Sequence, residues 1–281
     1  MSRRTRFGLS ALLTATLVLL AAAPSGAITG GQPDGEAHPN VGLIAFYDGT
    51  GRYRCSATLI SPTILVTAAH CTDGTLGKTL VTFTSVIAEA PPSPLPVAAN
   101  PAAGYTQAEL AAAGYRSGTA LTHPQYSDFT DVRNWNDVGV IRLDAPVVGI
   151  TPAHLAPVNH LDAYAKSALP KTIFGVVGYG TEVRKPDGGA QKPQPMSYPL
   201  IRRSTTSPGQ KLTPQILQLN GVPNDTRGGG GTCFGDSGGP VFLGGYLVAV
   251  TSYGYTDNCR YLGGYQRVDI AVAQDWIASV S

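Results

Sequence analysis

The 281-residue chain is long enough to bury a large core, and only 14% of its residues are charged. Its 34 glycines and 22 prolines predict many turns and few long helices, which favours an all-β fold. The formal net charge of +2 includes three arginines of a basic N-terminus, and without that segment it becomes −1. A near-neutral chain gives no electrostatic sign of nucleic-acid binding, so we expect no such partner.

Residues 1–27 have the pattern of a secretory signal peptide. Three arginines precede an apolar run from Phe7 to Ala23, and Ser25-Gly26-Ala27 supplies small residues for cleavage. A membrane anchor is the alternative, but the run is at the short limit for spanning a bilayer. We therefore predict a secreted, extracellular protein that begins at Ile28 and is not attached to a membrane after cleavage.

The four cysteines of an exported chain are expected to form two disulfides. Three pairings are possible, and the sequence spacing favours the local ones, Cys55–Cys71 and Cys233–Cys259. Zinc is not expected, because the sequence contains neither a Cys-x-x-Cys nor a His-x-x-x-His spacing. We expect no metal and no cofactor.

Short apolar runs bounded by glycine, proline, aspartate or serine predict strands along the chain. In the first half they are 41–47, 56–60, 64–67 and 138–143, and residues 72–120 are predicted to be a surface loop with a helical turn at 107–113. In the second half they are 172–180, 241–242, 246–253 and 265–268, and the glycine-rich stretch 224–231 is predicted to be a loop. Residues 269–280 have helical apolar spacing with Asp269 as predicted N-cap. No repeat or linker is recognisable, which predicts one domain over 28–281.

Three residues have surroundings that suit catalysis. His70 follows an apolar strand, Asp137 precedes another, and Ser237 lies in Gly235-Asp236-Ser237-Gly238-Gly239-Pro240. A serine flanked by glycines can project its hydroxyl while backbone N–H groups approach a substrate carbonyl. Each feature alone also has an ordinary explanation as a structural histidine, a surface turn or a polar turn.

Together, these residues strongly resemble the chymotrypsin-like serine proteases of the trypsin family, in their secreted bacterial type. The resemblance covers essentially residues 28–281, and the matching segments are 28–31, 57–63 with 67–71, 137–143, 235–240 and 252–254. It implies two six-stranded antiparallel β-barrels with the active site between them, followed by a short C-terminal helix. It also implies a serine endopeptidase with protein or peptide substrates, and protein inhibitors as potential partners. We expect a monomer.

The resemblance assigns the catalytic roles. Ser237 Oγ attacks the peptide carbonyl, His70 accepts its proton and later donates it to the leaving amine, and Asp137 orients the imidazole. The backbone N–H groups of Gly235 and Ser237 form the oxyanion hole.

The resemblance also implies how the enzyme becomes active. In the family, the acid before the nucleophile, here Asp236, pairs with the α-ammonium of the mature N-terminus, here Ile28. Family zymogens are cut after Arg or Lys, whereas Ala27 precedes Ile28 in this chain. We therefore predict that export alone generates the active N-terminus.

The substrate-binding positions implied by the resemblance are Gly231, Thr232, Ser252, Tyr253, Gly254 and Gly263. Gly231 stands at the pocket base, where trypsin-like enzymes carry an acid, and Thr251 stands where Glu-specific bacterial members carry a histidine. Small uncharged residues predict a large apolar or aromatic P1 residue, P1 being the residue whose carbonyl is attacked. Asp225 or Asp257 could enter the pocket from a loop and change this preference. Tyr253 replaces the usual tryptophan, which leaves the pocket width open.

Two alternative functions remain at this point. A secreted binding protein on a degenerate protease scaffold would normally lack a triad member, whereas this chain has all three. An esterase could use the same triad. The α/β-hydrolases have a Gly-x-Ser-x-Gly pattern that matches Gly235 to Gly239, but they place the acid and the histidine after the serine.

Overall fold

The computed structural model describes residues 28, 30–165, 167–183, 196–223, 225–227 and 229–281. The predicted signal peptide, Thr29, and residues 224 and 228 of the predicted glycine-rich loop lie outside these ranges. The strands are, in chain order, β1 Gln32–Pro33, β2 Val41–Tyr47, β3 Arg52–Ser61, β4 Ile64–Thr67, β5 Leu76–Thr82, β6 Val86–Ala88, β7 Arg116–Thr122, β8 Gly139–Leu143, β9 His154–Leu155, β10 Ile173–Gly178, β11 Glu182–Val183, β12 Met196–Ser197, β13 Leu200–Ile201, β14 Arg203–Leu212, β15 Ile216–Asn220, β16 Pro240–Leu243, β17 Tyr246–Gly254 and β18 Leu262–Arg267. The helices are α1 Gln107–Ala112 and α2 Ala271–Val280, and 3-10 turns form at Ala69–Cys71, His160–Tyr164 and Leu169–Lys171.

The first half of the chain forms a closed antiparallel barrel in the order β2-β3-β4-β8-β7-β5, with β5 pairing back onto β2. All seven residues of β2 are buried. Ile44 and Phe46 pack inside the barrel, whereas the alternate positions Val41 and Leu43 pack against Tyr179 of the second half. Because both faces of β2 are covered, its sequence is a continuous apolar run rather than an alternating one.

The second half forms a second six-stranded barrel in the order β14-β10-β16-β17-β18-β15, which is closed by pairing between β14 and β15. β1 adds to the edge of β14, and β9 pairs in parallel with β17. Phe174, Val176, Leu217 and Leu219 lie in its core together with Ile28. The predicted architecture of two six-stranded barrels and a short C-terminal helix is therefore confirmed.

Two local predictions are wrong. The segment 72–120 is not a surface loop throughout, because it contains the barrel strands β5 and β7, although its helical turn is confirmed as α1. Strand β7 is hard to recognise from sequence because it contains Gly118, and glycine is unfavourable in strands. A Cβ at Gly118 would lie 2.5 Å from the side chain of Ile141, so close packing requires glycine there.

Asp269 is the second wrong prediction, since it does not cap the C-terminal helix. The N-cap of α2 is Ile270, which makes no side-chain capping hydrogen bond. The carboxylate of Asp269 instead accepts hydrogen bonds from Arg267 Nε at 2.8 Å and from the backbone N–H of Leu161 at 2.7 Å. Across the described ranges, no helix combines the length and apolar character needed to span a bilayer.

Candidate active site

Strand pairing in the first barrel brings His70 and Asp137 together. Thr67 of β4 lies opposite Gly139 of β8, so the residues just after β4 and just before β8 leave the barrel at the same end. Asp137 Oδ2 lies 2.9 Å from His70 Nδ1, and Asp137 Oδ1 accepts the backbone N–H of His70 at 2.9 Å. The side chain of Asp137 is 0% exposed and that of His70 is 22% exposed. The carboxylate therefore fixes the ring while leaving its other edge open to the cleft.

Three further side chains hold Asp137, and sequence reasoning did not find these roles. Ser252 Oγ donates to Asp137 Oδ2 at 2.6 Å, and Trp135 Nε1 donates to Ser252 Oγ at 3.0 Å. Gln266 Oε1 accepts the backbone N–H of Asp137 at 3.0 Å. Ser252 was predicted only as a substrate-binding residue, because a hydrogen bond across 115 sequence positions leaves no local pattern.

The turn around Ser237 is fastened to the first barrel. The backbone N–H of Ser56 donates to Ser237 O at 2.8 Å, and Ser56 Oγ donates to Gly235 O at 3.0 Å. Gly238 has φ +73°, and a Cβ there would lie 1.9 Å from Thr67 Oγ1, so only glycine fits this close approach. The glycines of the motif thus allow the second barrel to present Ser237 directly against the strand that leads to His70.

Ser237 and His70 line the same cavity between the barrels. The Ser237 hydroxyl makes no hydrogen bond to any other part of the described chain. Catalytic hydrogen bonds are often long before substrate binds and shorten in the complex. Ser237 and His70 are therefore placed where a nucleophile and a general base could act on the same substrate.

The N–H groups of Gly235 and Ser237 are unused within the part of the chain that the structure describes. Gly235 has φ +95°, and a Cβ there would lie 2.9 Å from Arg54 Nε and 3.3 Å from the Cα of Gly180. Gly235 and Ser237 both line the cleft. Two free, closely spaced donors at this place can stabilise a developing oxyanion.

Asp236 is fully buried behind this turn. Its Oδ1 accepts the N–H of Gly180 at 2.7 Å, and its Oδ2 accepts the N–H of Cys233 at 2.8 Å. Burial raises the pKa of Asp236 to about 7, although these two hydrogen bonds and the charge of Arg54 lower it. A Cβ at Gly180 or Gly178 would lie 2.2 Å from a carboxylate oxygen, so both glycines are required by Asp236. Sequence reasoning missed both.

The predicted partner of Asp236, Ile28, is buried in the core of the second barrel. No hydrogen bond joins the two residues within the described ranges. The nitrogen of Ile28 is a neutral peptide amide while Ala27 precedes it, so the predicted ion pair requires a chain that begins at Ile28.

Arg54 is a further residue that sequence reasoning missed. Its Nη1 donates to the carbonyl of Pro199 at 3.2 Å, and its buried Nη2 has no hydrogen-bond partner in the described chain. Burial lowers the pKa of Arg54, and the charge of Asp236 opposes that shift. The guanidinium thus lies against Gly235, and its charge lowers the pKa of Asp236.

A cavity of about 330 Å³ opens beside Ser237. All six predicted substrate-binding positions line it: Gly231, Thr232, Ser252, Tyr253, Gly254 and Gly263. Thr232 Oγ1 lies 3.1 Å from the hydroxyl of buried Tyr265, and burial raises the pKa of that phenol to about 12. Thr232 and Tyr265 are therefore both neutral at physiological pH.

The two acids that could have changed the pocket lie in different places. Asp257 lines the cavity, but it is exposed at the rim. Asp225 is not among the described lining residues, and its carboxylate pairs with Arg227 at 2.8 Å. At the base, a Cβ on Gly231 would lie 2.6 Å from the Cα of Gly221, so an acid there would require the backbone to move.

Both predicted disulfides are confirmed. Cys55–Cys71 joins β3 to the turn that carries His70, and Cys233–Cys259 joins the segment before Ser237 to the far wall of the cavity. Each bridge therefore fixes one side of the cleft.

Known proteins share this architecture and sequence pattern. The Trypsin family model matches residues 28–277. A trypsin from Saccharopolyspora erythraea is 29% identical over 81% of this chain and 86% of its own length, and a brachyurin from Leptuca pugilator is 29% identical over 80% and 86%. A solved collagenase structure superposes with a TM-score of 0.61 at 17% identity, and covers 89% of this chain and 96% of the collagenase. The chain belongs to the trypsin family and is a serine-type endopeptidase.

Proposed function

We propose that this protein is a secreted endopeptidase that cleaves after large apolar or aromatic residues, with Ser237, His70 and Asp137 as its catalytic triad. The observation that carries the proposal is the 2.9 Å contact of buried Asp137 with His70 Nδ1, beside a cavity shared by His70 and Ser237. Protein and peptide substrates follow from the family.

The reaction uses these groups in order. His70 Nε2 takes the proton of Ser237 Oγ as that oxygen bonds to the substrate carbonyl carbon. The π electron pair of the carbonyl moves onto its oxygen, which becomes the oxyanion. The N–H groups of Gly235 and Ser237 bind the oxyanion, and Asp137 stabilises the imidazolium. The imidazolium then gives its proton to the amine as the peptide bond breaks. Water repeats the sequence on the acyl-enzyme and regenerates Ser237.

Active-site labelling tests the proposal most directly. A fluorophosphonate should attach to one site, peptide mapping should locate it at Ser237, and the Ser237→Ala variant should not be labelled. A folded protein that neither reacts nor cleaves peptides would be a binding protein on the protease scaffold. Cleavage of esters without cleavage of peptides would identify the esterase alternative.

The apolar P1 preference is supported by the lining of the cavity. Its described side chains carry no charge apart from the exposed rim residue Asp257 and whatever charge His70 holds. The ionised guanidinium of a P1 Arg would lose its hydration in this cavity without gaining a charged partner, whereas an aromatic ring would bury apolar surface there.

Peptide substrates with Phe, Leu or Arg at P1 should show this preference as a ranking of kcat/KM. We expect Phe and Leu to exceed Arg, and a preference for Arg would contradict the proposal.

Gly254→Val should lower kcat/KM for a substrate with Phe at P1 by about ten-fold or more, and it should spare a substrate with Ala at P1. The valine side chain would occupy part of the cavity, and a change of a single methylene group in an apolar pocket already alters selectivity by about ten-fold. The nearest atom to a Cβ at Gly254 is 3.9 Å away, so the variant should fold normally.

Export supplies the mature N-terminus in this proposal. Residues 1–27 are removed as a signal peptide, and the domain consists of residues 28–281. N-terminal sequencing of the secreted protein should read Ile-Thr-Gly-Gly. Any other first residue would mean that a different processing step activates the enzyme.

The raised pKa of Asp236 makes ion-pair formation measurable as a pH dependence of stability. With Ala27 still attached, the folded state holds a proton on Asp236 up to about pH 7, whereas the unfolded carboxyl loses it near pH 3.8. The free energy of unfolding should therefore fall as pH rises from about 4 to 7. In a chain that begins at Ile28, the ammonium should lower this pKa and reduce the fall.

The comparison needs two inactive chains, both carrying Ser237→Ala to prevent self-cleavage. One begins at Ile28 and the other retains Gly26-Ala27, and each is unfolded in urea at several pH values. Asp236→Asn should remove the difference between them. Equal pH profiles for the two chains that retain Asp236 would contradict the ion pair.

A further inference from the structure

Arg54 is a cation whose surroundings leave part of it unsatisfied. Its Nη1 donates to the carbonyl of Pro199 at 3.2 Å, but its Nη2 is buried and has no hydrogen-bond partner in the described chain. A guanidinium that loses its hydration without gaining hydrogen bonds is costly. An apolar side chain of similar length would pack at this place at lower cost, so packing alone does not explain the arginine.

Strand β3 directs Arg54 and Ser56 towards the turn that carries Ser237, because residues two apart on a strand face the same side. Ser56 Oγ donates to Gly235 O at 3.0 Å. A Cβ at Gly235 would lie 2.9 Å from Arg54 Nε and 3.3 Å from the Cα of Gly180. The guanidinium and the backbone of Gly180 therefore enclose Gly235 on the side that a side chain would occupy.

The direction of the Gly235 N–H is fixed by the peptide group to which it belongs. The carbonyl of Phe234 in that group accepts the N–H of Thr181 at 2.8 Å. The C=O and N–H of a trans peptide point in opposite directions, so this bond also sets the direction of the Gly235 N–H. A shift of Gly235 towards β3 would meet the guanidinium. Arg54 thus limits the positions that this donor can take.

The positive charge of Arg54 is not cancelled by a bonded acid. The carboxylate oxygens of Asp236 accept the N–H groups of Gly180 and Cys233 instead, at 2.7 and 2.8 Å. Arg54 still acts on Asp236 through its charge, so its field reaches the interior of the turn. A cation held beside the Gly235 donor favours the negative charge that develops on a substrate oxygen bound there.

We infer that Arg54 is a positioning residue for the oxyanion hole, which holds Gly235 where its N–H meets the oxyanion and favours the negative oxygen by its charge. The inference rests on the proposed function, because it assumes that the Gly235 N–H binds the oxyanion. An interaction that is stronger in the transition state than in the bound substrate raises kcat. The loss of Arg54 should therefore appear in kcat rather than in KM.

Arg54→Met tests the inference in the mature enzyme, with an Ala-Ala-Ala-Phe anilide as substrate. An anilide has no residues after the scissile bond, so a contact of Arg54 with that part of a protein substrate does not contribute. We expect kcat to fall by about ten-fold or more, less than the about 10²–10³-fold lost with a whole oxyanion-hole donor, and KM to change by no more than about two-fold. Arg54→Lys keeps a cation on a stem of similar length and should recover most of kcat.

A trifluoromethyl ketone of the same peptide measures oxyanion stabilisation separately from substrate binding. Ser237 Oγ bonds to its carbonyl carbon, and the adduct carries a negative oxygen in the place of the oxyanion. Arg54→Met should raise the inhibition constant by the same factor by which it lowers kcat/KM. The matching peptide alcohol forms no adduct, so its inhibition constant should be the same in both enzymes.

Arg52→Met is the matched control, since Arg52 is an exposed arginine of the same strand that donates to the carbonyl of Pro96. It should leave kcat and both inhibition constants unchanged. If Arg54→Met does not fold, Arg54→Gln removes the same charge and should lose kcat equally. An unchanged kcat, a change confined to KM, or equal losses in the uncharged and Lys variants of Arg54 would each overturn the inference. Failure of the wild type to cleave the anilide would instead contradict the proposed function.

Discussion

Replacing Asp137 with asparagine should lower kcat by about 10⁴-fold while the protein remains folded. Asp137 accepts hydrogen bonds from His70 Nδ1 and from the backbone N–H of His70. An amide in its place can turn its NH₂ towards Nδ1, which puts the ring proton on Nε2. His70 then cannot accept the proton of Ser237, so the nucleophile loses its base.

The measurement is steady-state hydrolysis of a peptide anilide, with Asp144→Asn as the matched control. Asp144 is an acid of the same barrel that pairs with Lys78 at 2.6 Å, away from the cleft. Its substitution should leave kcat within about two-fold of wild type, as expected for a surface pair. A loss below ten-fold in Asp137→Asn would refute the assignment of Asp137. An intact circular dichroism spectrum and urea midpoint would show that any loss is not unfolding.

Replacing Arg202 with leucine should lower the free energy of unfolding by about 3–5 kcal/mol, the range for breaking a buried ion pair. The side chains of Arg202 and Asp34 are both 0% exposed, and Nε lies 2.9 Å from Asp34 Oδ2. Nη1 also donates to the carbonyls of Val41 and Phe83 in the first barrel. The substitution removes the guanidinium from a buried carboxylate and from the carbonyls of Val41, Phe83 and Gly35.

Urea unfolding should be measured on the Ser237→Ala background, so that self-cleavage does not intervene. Arg227→Leu is the control, because Arg227 pairs with Asp225 at the surface and its loss should cause a much smaller change. If Arg202→Leu does not fold, Asp34→Asn tests the same pair by removing the charge and keeping the shape. Equal effects in the Arg202 and Arg227 variants would contradict the prediction.

Asp34 should also make the protein less stable at acid pH. Burial alone would raise the pKa of Asp34, but hydrogen bonds from His38, Ser204 and Arg202 and the charge of His38 outweigh it and lower the pKa to about 2. A carboxyl whose folded pKa lies below its unfolded value stabilises the fold above the unfolded pKa. This contribution should be lost as pH falls from about 4 to 2, and Asp34→Asn should show a flatter profile over that window.

Features that depend on residues close together in the chain were predictable. Ser237 between glycines, His70 beside Cys71 and the family pattern around them identified the site, because a tight turn and a short disulfide loop depend on adjacent residues. The barrel strands β5 and β7 were missed, because their register is set by β2 and β8 rather than by a strong pattern of their own. Asp269 was misassigned for a related reason: a distant backbone N–H, that of Leu161, competes for the carboxylate.

The sequence by itself therefore predicted the two-barrel architecture and the disulfide pairing, which are confirmed, and it pointed to the three residues that we propose as the triad. Only the tertiary structure decided what surrounds them: Ser252 behind Asp137, Arg54 against Gly235, and the ring of Phe129 beside His70. These contacts join residues far apart in the chain, and their energies depend on burial and distance. Neither quantity exists until the two barrels have closed and packed against each other.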